Sequence, residues 1–401
     1  MRKGWRVLRE QGPVVFARRL RTRLLGDNSV RGSLVRFEDA RDADWSHQHP
    51  AVSSPVKVGQ GPWTIAWVMS PPGANSGGHQ NIFRFIKVLE DAGHTVRVYL
   101  YTTGLLASPA EVRAMIAASS SYPDVRATIE EYPHEGVPSD TTAIVATGWE
   151  TAYPSFRDPS LARRFYFVQD FEPAFYPVGS ESVLAENSYR FGFHGLTAGH
   201  WLADKLADDY GMQTDAFDFG SDASTYFVEN SGHRREILFY ARPATERRGF
   251  DLGIMALDLV AAARPEVTIN LVGEDVRHRA IPFAYTNLSG LQVGDLNAVY
   301  NRSAVALVLS FTNMSLLPLE LLGAGTIPVV NDGPNNRGVS DNPFIEFTPA
   351  SPRALADRII ELYDRGDLPE HAQRAAESVA SADWAHSGRQ FLSAFERIMH
   401  G

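Results

Sequence analysis

Residues 64–101 spell one unit that admits few folds. Thr64-Ile-Ala-Trp-Val-Met69 is an apolar run of strand length, and the loop Ser70-Pro-Pro-Gly-Ala-Asn-Ser-Gly-Gly78 follows it. From His79 to Ala92 apolar residues fall at 82, 83, 85, 86, 88 and 89, the spacing of one helical face, and Gly93 supplies a stop. Val96-Arg-Val-Tyr-Leu-Tyr101 then reads as a second strand. Two strands joined through a helix run parallel, and the crossover leaves the glycine loop at the carboxyl edge of the sheet. Strands at 142–147 and 164–168 and a helix over 198–210 continue the alternation. The pattern then restarts with strands at 236–241, 267–272, 304–309 and 327–330 and helices at 250–263, 296–301 and 316–325. The expected fold is α/β, two doubly wound parallel sheets that change over near 217–235.

Length agrees, because 401 residues exceed what one hydrophobic core supports and suit two domains of roughly 150 to 200 residues. The expected division is a basic segment and linker at 1–60, a first domain at 61–216 completed by a final helix within 381–401, and a second domain at 217–380. Hydrophobic residues at 44% and charged residues at 21% exclude disorder. The longest uncharged apolar stretch, 303–311, is far short of the roughly 20 residues of a membrane span. Zero cysteines exclude a disulfide scaffold, a thiolate zinc site, an iron–sulfur cluster and a cysteine nucleophile.

The net charge of −9 is unevenly spread: residues 1–25 carry +7 and the remainder −16. So acidic a body does not suit duplex nucleic acid, and no nucleic-acid partner is expected. In residues 1–25, Trp5, Val7, Leu8, Val14, Val15, Phe16, Leu20, Leu24 and Leu25 alternate with arginines at near-helical spacing. That pattern suits two short interfacial helices on an anionic bilayer, and equally a solvated tail. Its uncharged core, 13–17, is too short for a secretory signal. Residues 26–61 show no sustained period and read as a linker or a segment draped over the surface. Asp42-Ala-Asp44 spells a metal-binding DxD but follows no strand.

Parallel sheets bind ligands at their carboxyl edges, so the loops leaving the strands carry the candidates. Ser76-Gly77-Gly78 before a helix offers bare N–H groups and a positive dipole end for a phosphate or carboxylate, or simply a tight turn. Ala241-Arg242-Pro243 leaves a strand, and Arg247-Arg248-Gly249 precedes a helix. Two guanidinium groups so close on a sheet edge can grip a diphosphate. After the strand at 164–168, Asp170 and Glu172 interleave with Phe171, Phe175 and Tyr176. Carboxylates beside aromatic rings suit the hydroxyls and apolar face of a pyranose. The same residues could instead cap a turn and pair with an arginine, or imitate a DxD metal site. His79 and His194 are candidate helpers.

Thr312-Asn-Met-Ser-Leu-Leu-Pro-Leu-Glu320 followed by Leu-Leu-Gly-Ala-Gly-Thr-Ile-Pro-Val-Val330 resembles the donor-binding signature of glycosyltransferase family 4. The likeness spans about residues 63–400 and includes a final helix containing Trp384. It implies a GT-B fold of two Rossmann-like domains facing each other across a cleft. By that resemblance Glu320 accepts hydrogen bonds from the ribose of a nucleotide sugar, with Gly273 and Leu291 beside the nucleoside. Ser315, Leu316 and Leu317, with Arg242, Arg247, Gly77 and Gly78, face the diphosphate, and Thr312, Asn313 and Met314 adjoin the sugar. Thr312 stands where the family has the first glutamate of its pair, and a threonine cannot serve as base or ion partner.

Phe165-Tyr-Phe-Val-Gln-Asp-Phe-Glu-Pro-Ala-Phe-Tyr-Pro-Val-Gly-Ser180, with Ala185-Glu-Asn-Ser-Tyr189, Gly77-Gly78-His79 and Arg242-Pro243, looks like the WsaF-type rhamnosyltransferases of bacterial polysaccharide assembly. This implies a retaining, metal-independent transferase that moves L-rhamnose from dTDP-L-rhamnose to a glycan or lipid-linked saccharide. Asp170, Glu172 and His79 are then the catalytic candidates, Phe175 and Tyr176 the sugar platform, and no cofactor beyond the donor substrate is needed. The expected location is the cytoplasm, peripheral on the inner face of the plasma membrane. Three alternatives stay open: another nucleotide sugar as donor, a sugar-nucleotide epimerase, and a non-catalytic glycan-binding subunit.

Overall fold

The computed structural model describes residues 34–47, 49–53, 59–74, 76–104, 108–314 and 316–401. The basic segment 1–25 and Ser315 lie outside them. Two sheets carry the described strands. The first, in the order β3-β2-β1-β4-β5-β6-β7, comprises β1 (Thr64–Met69), β2 (Thr95–Leu100), β3 (Thr128–Glu131), β4 (Ala143–Ala146), β5 (Arg163–Val168), β6 (His194–Ala198) and β7 (Thr214–Phe217). The second, in the order β10-β9-β8-β11-β12-β13, comprises β8 (Glu236–Ala241), β9 (Thr268–Gly273), β10 (Thr286–Ser289), β11 (Ser303–Val308), β12 (Ile327–Asn331) and β13 (Glu346–Thr348). Pairing is parallel, as in β1 with β2 and β4, and β8 with β9 and β11. Near-continuous apolar runs are what a parallel strand needs, because helices cover both its faces. The described residues divide into two compact units, those of 34–53 with those from 61 to 164, and 59–60 with those from 165 to 401, so the division falls inside β5 whereas the sheets change over after β7.

In the first unit the main helices are α1 (Gly77–Asp91), α2 (Pro109–Ala118) and α3 (Trp149–Arg157). Helix α1 lays Ile82, Phe83, Phe85, Ile86 and Leu89 into the core. It starts at Gly77, two residues before the periodicity shows, since the glycines carry no apolar signal. Helix α2 opens on a reciprocal cap, Glu111 N–H donating to Ser108 Oγ and Ser108 N–H to Glu111 Oε2 at 2.7 Å. The segment 34–53 is draped on this unit. Arg36 N–H donates to the Tyr101 hydroxyl at 2.8 Å, which donates to Asp39 Oδ2 at 2.7 Å. Asp42 pairs with Arg41 and Arg157, and Asp44 accepts from Ser46 and binds His47, so the DxD carboxylates are spent on local partners.

In the second unit the helices are α4 (Ser180–Ser188), α5 (His200–Tyr210), α6 (Phe250–Ala263), α7 (Val293–Arg302), α8 (Leu317–Gly323), α9 (Pro352–Tyr363), α10 (Leu368–Glu377) and α11 (Trp384–His400). Helix α6 reaches β8 through Gly253, where a Cβ would lie 2.2 Å from the Phe239 ring. Helix α11 returns to β5 and β7, with Phe395 4.8 Å from Phe165 and Phe391 about 6.0 Å from both Phe167 and Phe217. Each buried phenylalanine contributes roughly 1.5–3 kcal/mol. The helix expected over 198–210 begins only at His200, because Ala198 ends β6 and Gly199, at φ +88°, turns the chain. Strands β3, β6, β7, β10 and β13 are short and partly polar, which hid them from the pattern. Among the described residues no helix is long and apolar enough to cross a membrane.

Candidate functional site

Three arginines stand at the carboxyl edge of the second sheet. Arg242 follows β8 directly and donates from Nε to Glu274 Oε1 and from Nη1 to the Tyr240 hydroxyl, both at 3.1 Å. Glu274, just beyond β9, also accepts from Ala244 N–H at 3.2 Å and so fixes the loop. Pattern reading missed it, although a carboxylate immediately after the Gly273 strand end was its signal. Gly273 itself is structural: at φ +131° a Cβ would lie 2.7 Å from the Ala241 carbonyl oxygen. Arg247 lies over the Phe175 ring at 3.8 Å and donates from Nε to Asp170 Oδ2 at 3.3 Å. Burial pulls its guanidinium below the ordinary value while Asp170 opposes the shift, and an arginine so placed keeps its charge. Arg248 donates to Ser310 Oγ at 2.9 Å.

Asp170 joins the end of β5 to the loop after β11. Its Oδ1 accepts from Asn313 N–H at 2.7 Å and from Phe171 N–H at 2.9 Å. Asn313 Nδ2 in turn donates to the carbonyls of Gln169 and Ala198, both at 2.9 Å. Asn331, Asn335 and Asn336, unremarked in the sequence, all donate to the Ser310 carbonyl and draw this loop inward. The consequence corrects the sugar-binding assignment. Thr312, Asn313 and Met314 are each 1% exposed, so none presents a surface to a sugar. The Thr312 hydroxyl and Asn313 Oδ1 find no partner among the described residues.

Glu172 is likewise buried, at 7% exposure; its Oε2 accepts from the Tyr166 hydroxyl at 2.9 Å and its N–H donates to the Tyr189 hydroxyl at 3.1 Å. It braces the loop below Phe175, which corrects the expectation that it faces a substrate. Tyr176 adjoins Phe175 with ring centroids 6.4 Å apart. Glu320 is half-buried on α8, and it adds to the burial that pushes the Tyr300 phenol up. The α8 terminus is a poorer anion site than the sequence suggests. Pro318 has no N–H, the amides of Leu319 and Glu320 both donate to the Leu316 carbonyl, and Leu317 is 7% exposed, so of the two described residues expected there Leu316 alone is half-buried and Leu317 is buried. Leu291 lies half-buried between β10 and α7.

In the first unit Gly77 and Gly78 form the exposed first turn of α1, and a Cβ at Gly77 would meet no atom within 4 Å. His79, in the same turn, has both ring nitrogens engaged. Nε2 lies 3.0 Å from the Ser70 carbonyl, which only accepts, so Nε2 carries the proton and Nδ1 accepts from Ser76 Oγ at 2.7 Å. Burial lowers its pKa, consistent with that neutral tautomer. His79 therefore pins α1 to the end of β1 and has no free nitrogen for substrate. His194 begins β6, at the amino edge, and pairs with Asp215 at 2.7 Å, far from any carboxyl-edge chemistry. Among the described residues no group of three or more histidines and carboxylates is placed to hold a metal ion.

Two parallel sheets in this order, with their loops so furnished, define the GT-B class of fold. Sucrose-phosphate synthase from Thermosynechococcus elongatus shares it at a TM-score of 0.64 and 15% identity, over 84% of this chain and 99% of that one. Anabaena HepE, solved with UDP and glucose, gives 0.62 and 14%, over 82% and 98%. A structure described as a putative UDP-N-acetylglucosamine 2-epimerase from Listeria monocytogenes gives 0.56 and 11%, over 84% and 97%, so the fold by itself does not distinguish a synthase from an epimerase. Within that class, residues 235–360 match the family described as WsaF, C-terminal domain. The O-antigen biosynthesis protein RfbC of Myxococcus xanthus is 29% identical over 332 residues, 80% of this chain. The chain covers 26% of that relative's length.

Proposed function

We propose that this chain is a glycosyltransferase of bacterial cell-surface polysaccharide assembly that moves L-rhamnose from dTDP-L-rhamnose to a saccharide acceptor. The observation that carries the reading is that the match to the WsaF C-terminal domain falls on the sheet whose carboxyl edge presents Arg242, Arg247 and Arg248. Breaking the anomeric bond builds negative charge on the leaving diphosphate, and fixed guanidinium groups stabilise that charge more in the transition state than in the ground state. Glu320 supplies a carboxylate for the one free hydroxyl, the 3′-hydroxyl, of the thymidine deoxyribose. The anomeric configuration is retained: the acceptor oxygen bonds to the anomeric carbon as the carbon–oxygen bond to the phosphate breaks. The electron pair stays on the diphosphate, which takes the acceptor proton. No protein base is required on this route, in keeping with Thr312 where the resembling family has a glutamate, and no metal or further cofactor is called on. Residues 1–25 hold the protein on the anionic cytoplasmic face of the membrane.

The test is competition between donors. With octyl α-L-rhamnoside as acceptor, kcat/KM is measured for dTDP-L-rhamnose, UDP-glucose and GDP-mannose. The rhamnosyl donor is expected to lead, by a modest factor because a methyl contact is worth about 1–3 kcal/mol. A lead for either hexose donor overturns the rhamnosyl assignment and keeps the transferase. Release of free dTDP only when acceptor is present separates transfer from epimerisation.

A further inference from the structure

Glu150 is a carboxylate of the first unit that the reading above leaves unused. Val68 of β1 lies opposite Ala146 of β4, so Ser70 and Gly148 leave the same sheet edge side by side, and Glu150 opens α3 immediately after. Its carboxylate folds back over the Gly148 Cα. A Cβ at 148 would lie 2.8 Å from both carboxylate oxygens, so only glycine leaves room for this placement. Ser70 donates a side-chain hydrogen bond to Glu150, and the Ser70 carbonyl is held by His79.

Capping does not explain the residue. The start of α3 is already served by Thr151, whose Oγ1 accepts from Thr147 N–H at 2.9 Å and Gly148 N–H at 3.1 Å and donates to the Gly148 carbonyl at 2.8 Å. Burial pushes the Glu150 carboxyl above the ordinary carboxylate range, and a backbone amide and Ser70 oppose that shift. A carboxylate offers about four acceptor positions. Two are filled by the backbone amide and Ser70, and a desolvated carboxyl with positions left open gains from a further hydroxyl partner. It is half-buried, so one side remains reachable.

We propose that Glu150, with Ser70 beside it, binds a pair of hydroxyls on the acceptor saccharide. The word acceptor rests on the transferase reading; the saccharide site does not. In Glu150→Ala, KM for octyl α-L-rhamnoside should rise at least tenfold, with Glu150→Gln intermediate because an amide keeps one acceptor oxygen. The kcat and the affinity for dTDP, read by calorimetry, should stay within twofold. An unchanged acceptor KM overturns the proposal, as does a parallel loss of dTDP affinity, which would mark Glu150 as structural. If the wild-type protein transfers no sugar, the transferase reading fails, and calorimetric titration with octyl α-L-rhamnoside alone decides. Binding by wild type that Glu150→Ala loses upholds the saccharide site; equal binding, or none by wild type, overturns it.

Discussion

Asp170 accepts from Arg247 Nε at 3.3 Å through one carboxylate oxygen and from Asn313 N–H at 2.7 Å through the other. Arg247, which the proposed function assigns to the donor diphosphate, is thereby held by a protein anion with which a phosphate must compete. Asp170→Asn keeps an oxygen for Asn313 but removes the competing charge. The expected outcome is a lower Kd for dTDP, by about tenfold, since a charge-assisted hydrogen bond is worth about 1.5–3 kcal/mol and only part of it opposes binding. Calorimetry of the folded variant checks this, and weaker binding would place Asp170 itself on the donor.

Arg247→Ala should lower kcat more than it raises KM, because the charge it meets grows toward the transition state. Activity in excess chelator should equal that without it. Turnover lost in chelator and restored by manganese would return attention to Asp170 as a metal ligand.

Glu320→Ala should weaken nucleotide binding roughly ten- to a hundredfold, the cost of one hydrogen bond to a charged group. A thermal-shift titration with dTDP reads it. Unaltered affinity would remove Glu320 from the nucleoside site.

His79 gives a pH prediction. Its ordinary pKa of 6.5 is lowered in the folded protein by burial, so the unfolded chain binds a proton more readily there. The stability this contributes is complete above pH 6.5 and is lost as pH falls from there through the folded value. His79→Gln should therefore be less stable than wild type at pH 8, with the gap narrowing toward pH 5. Urea midpoints at the two pH values test it, and a constant gap would refute it.

Deleting residues 1–25 should abolish sedimentation with anionic liposomes and leave turnover on octyl α-L-rhamnoside intact, since each surface arginine contributes about 1 kcal/mol at such a membrane. Equal sedimentation of both forms would show that the membrane contact lies elsewhere in the chain.

Much of the fold is legible in the sequence. Buried strands such as Thr64–Met69 and Glu236–Ala241, with the amphipathic face of α1, show in the pattern because apolar periodicity reports local geometry directly. The short strands β3, β7 and β10 escaped it, since a few residues with mixed polarity owe their state to the neighbour they pair with. The same divide runs through the site. Arg242, Arg247 and Glu320 stand out in the sequence by their place after strands or within one signature. Their partners do not, because a hydrogen bond between Asp170 and residues 247 and 313 joins positions 77 and 143 apart in the chain.

The sequence by itself determined the α/β class, the two parallel sheets and the loops that carry charge at their edges, all consequences of local spacing. Tertiary structure alone decided which of those charges are free to act. It buried Glu172 against Tyr166, buried Thr312, engaged both nitrogens of His79, and folded Glu150 over Gly148. Exposure and pairing depend on what distant segments bring alongside, and no pattern of neighbours along the chain contains that information.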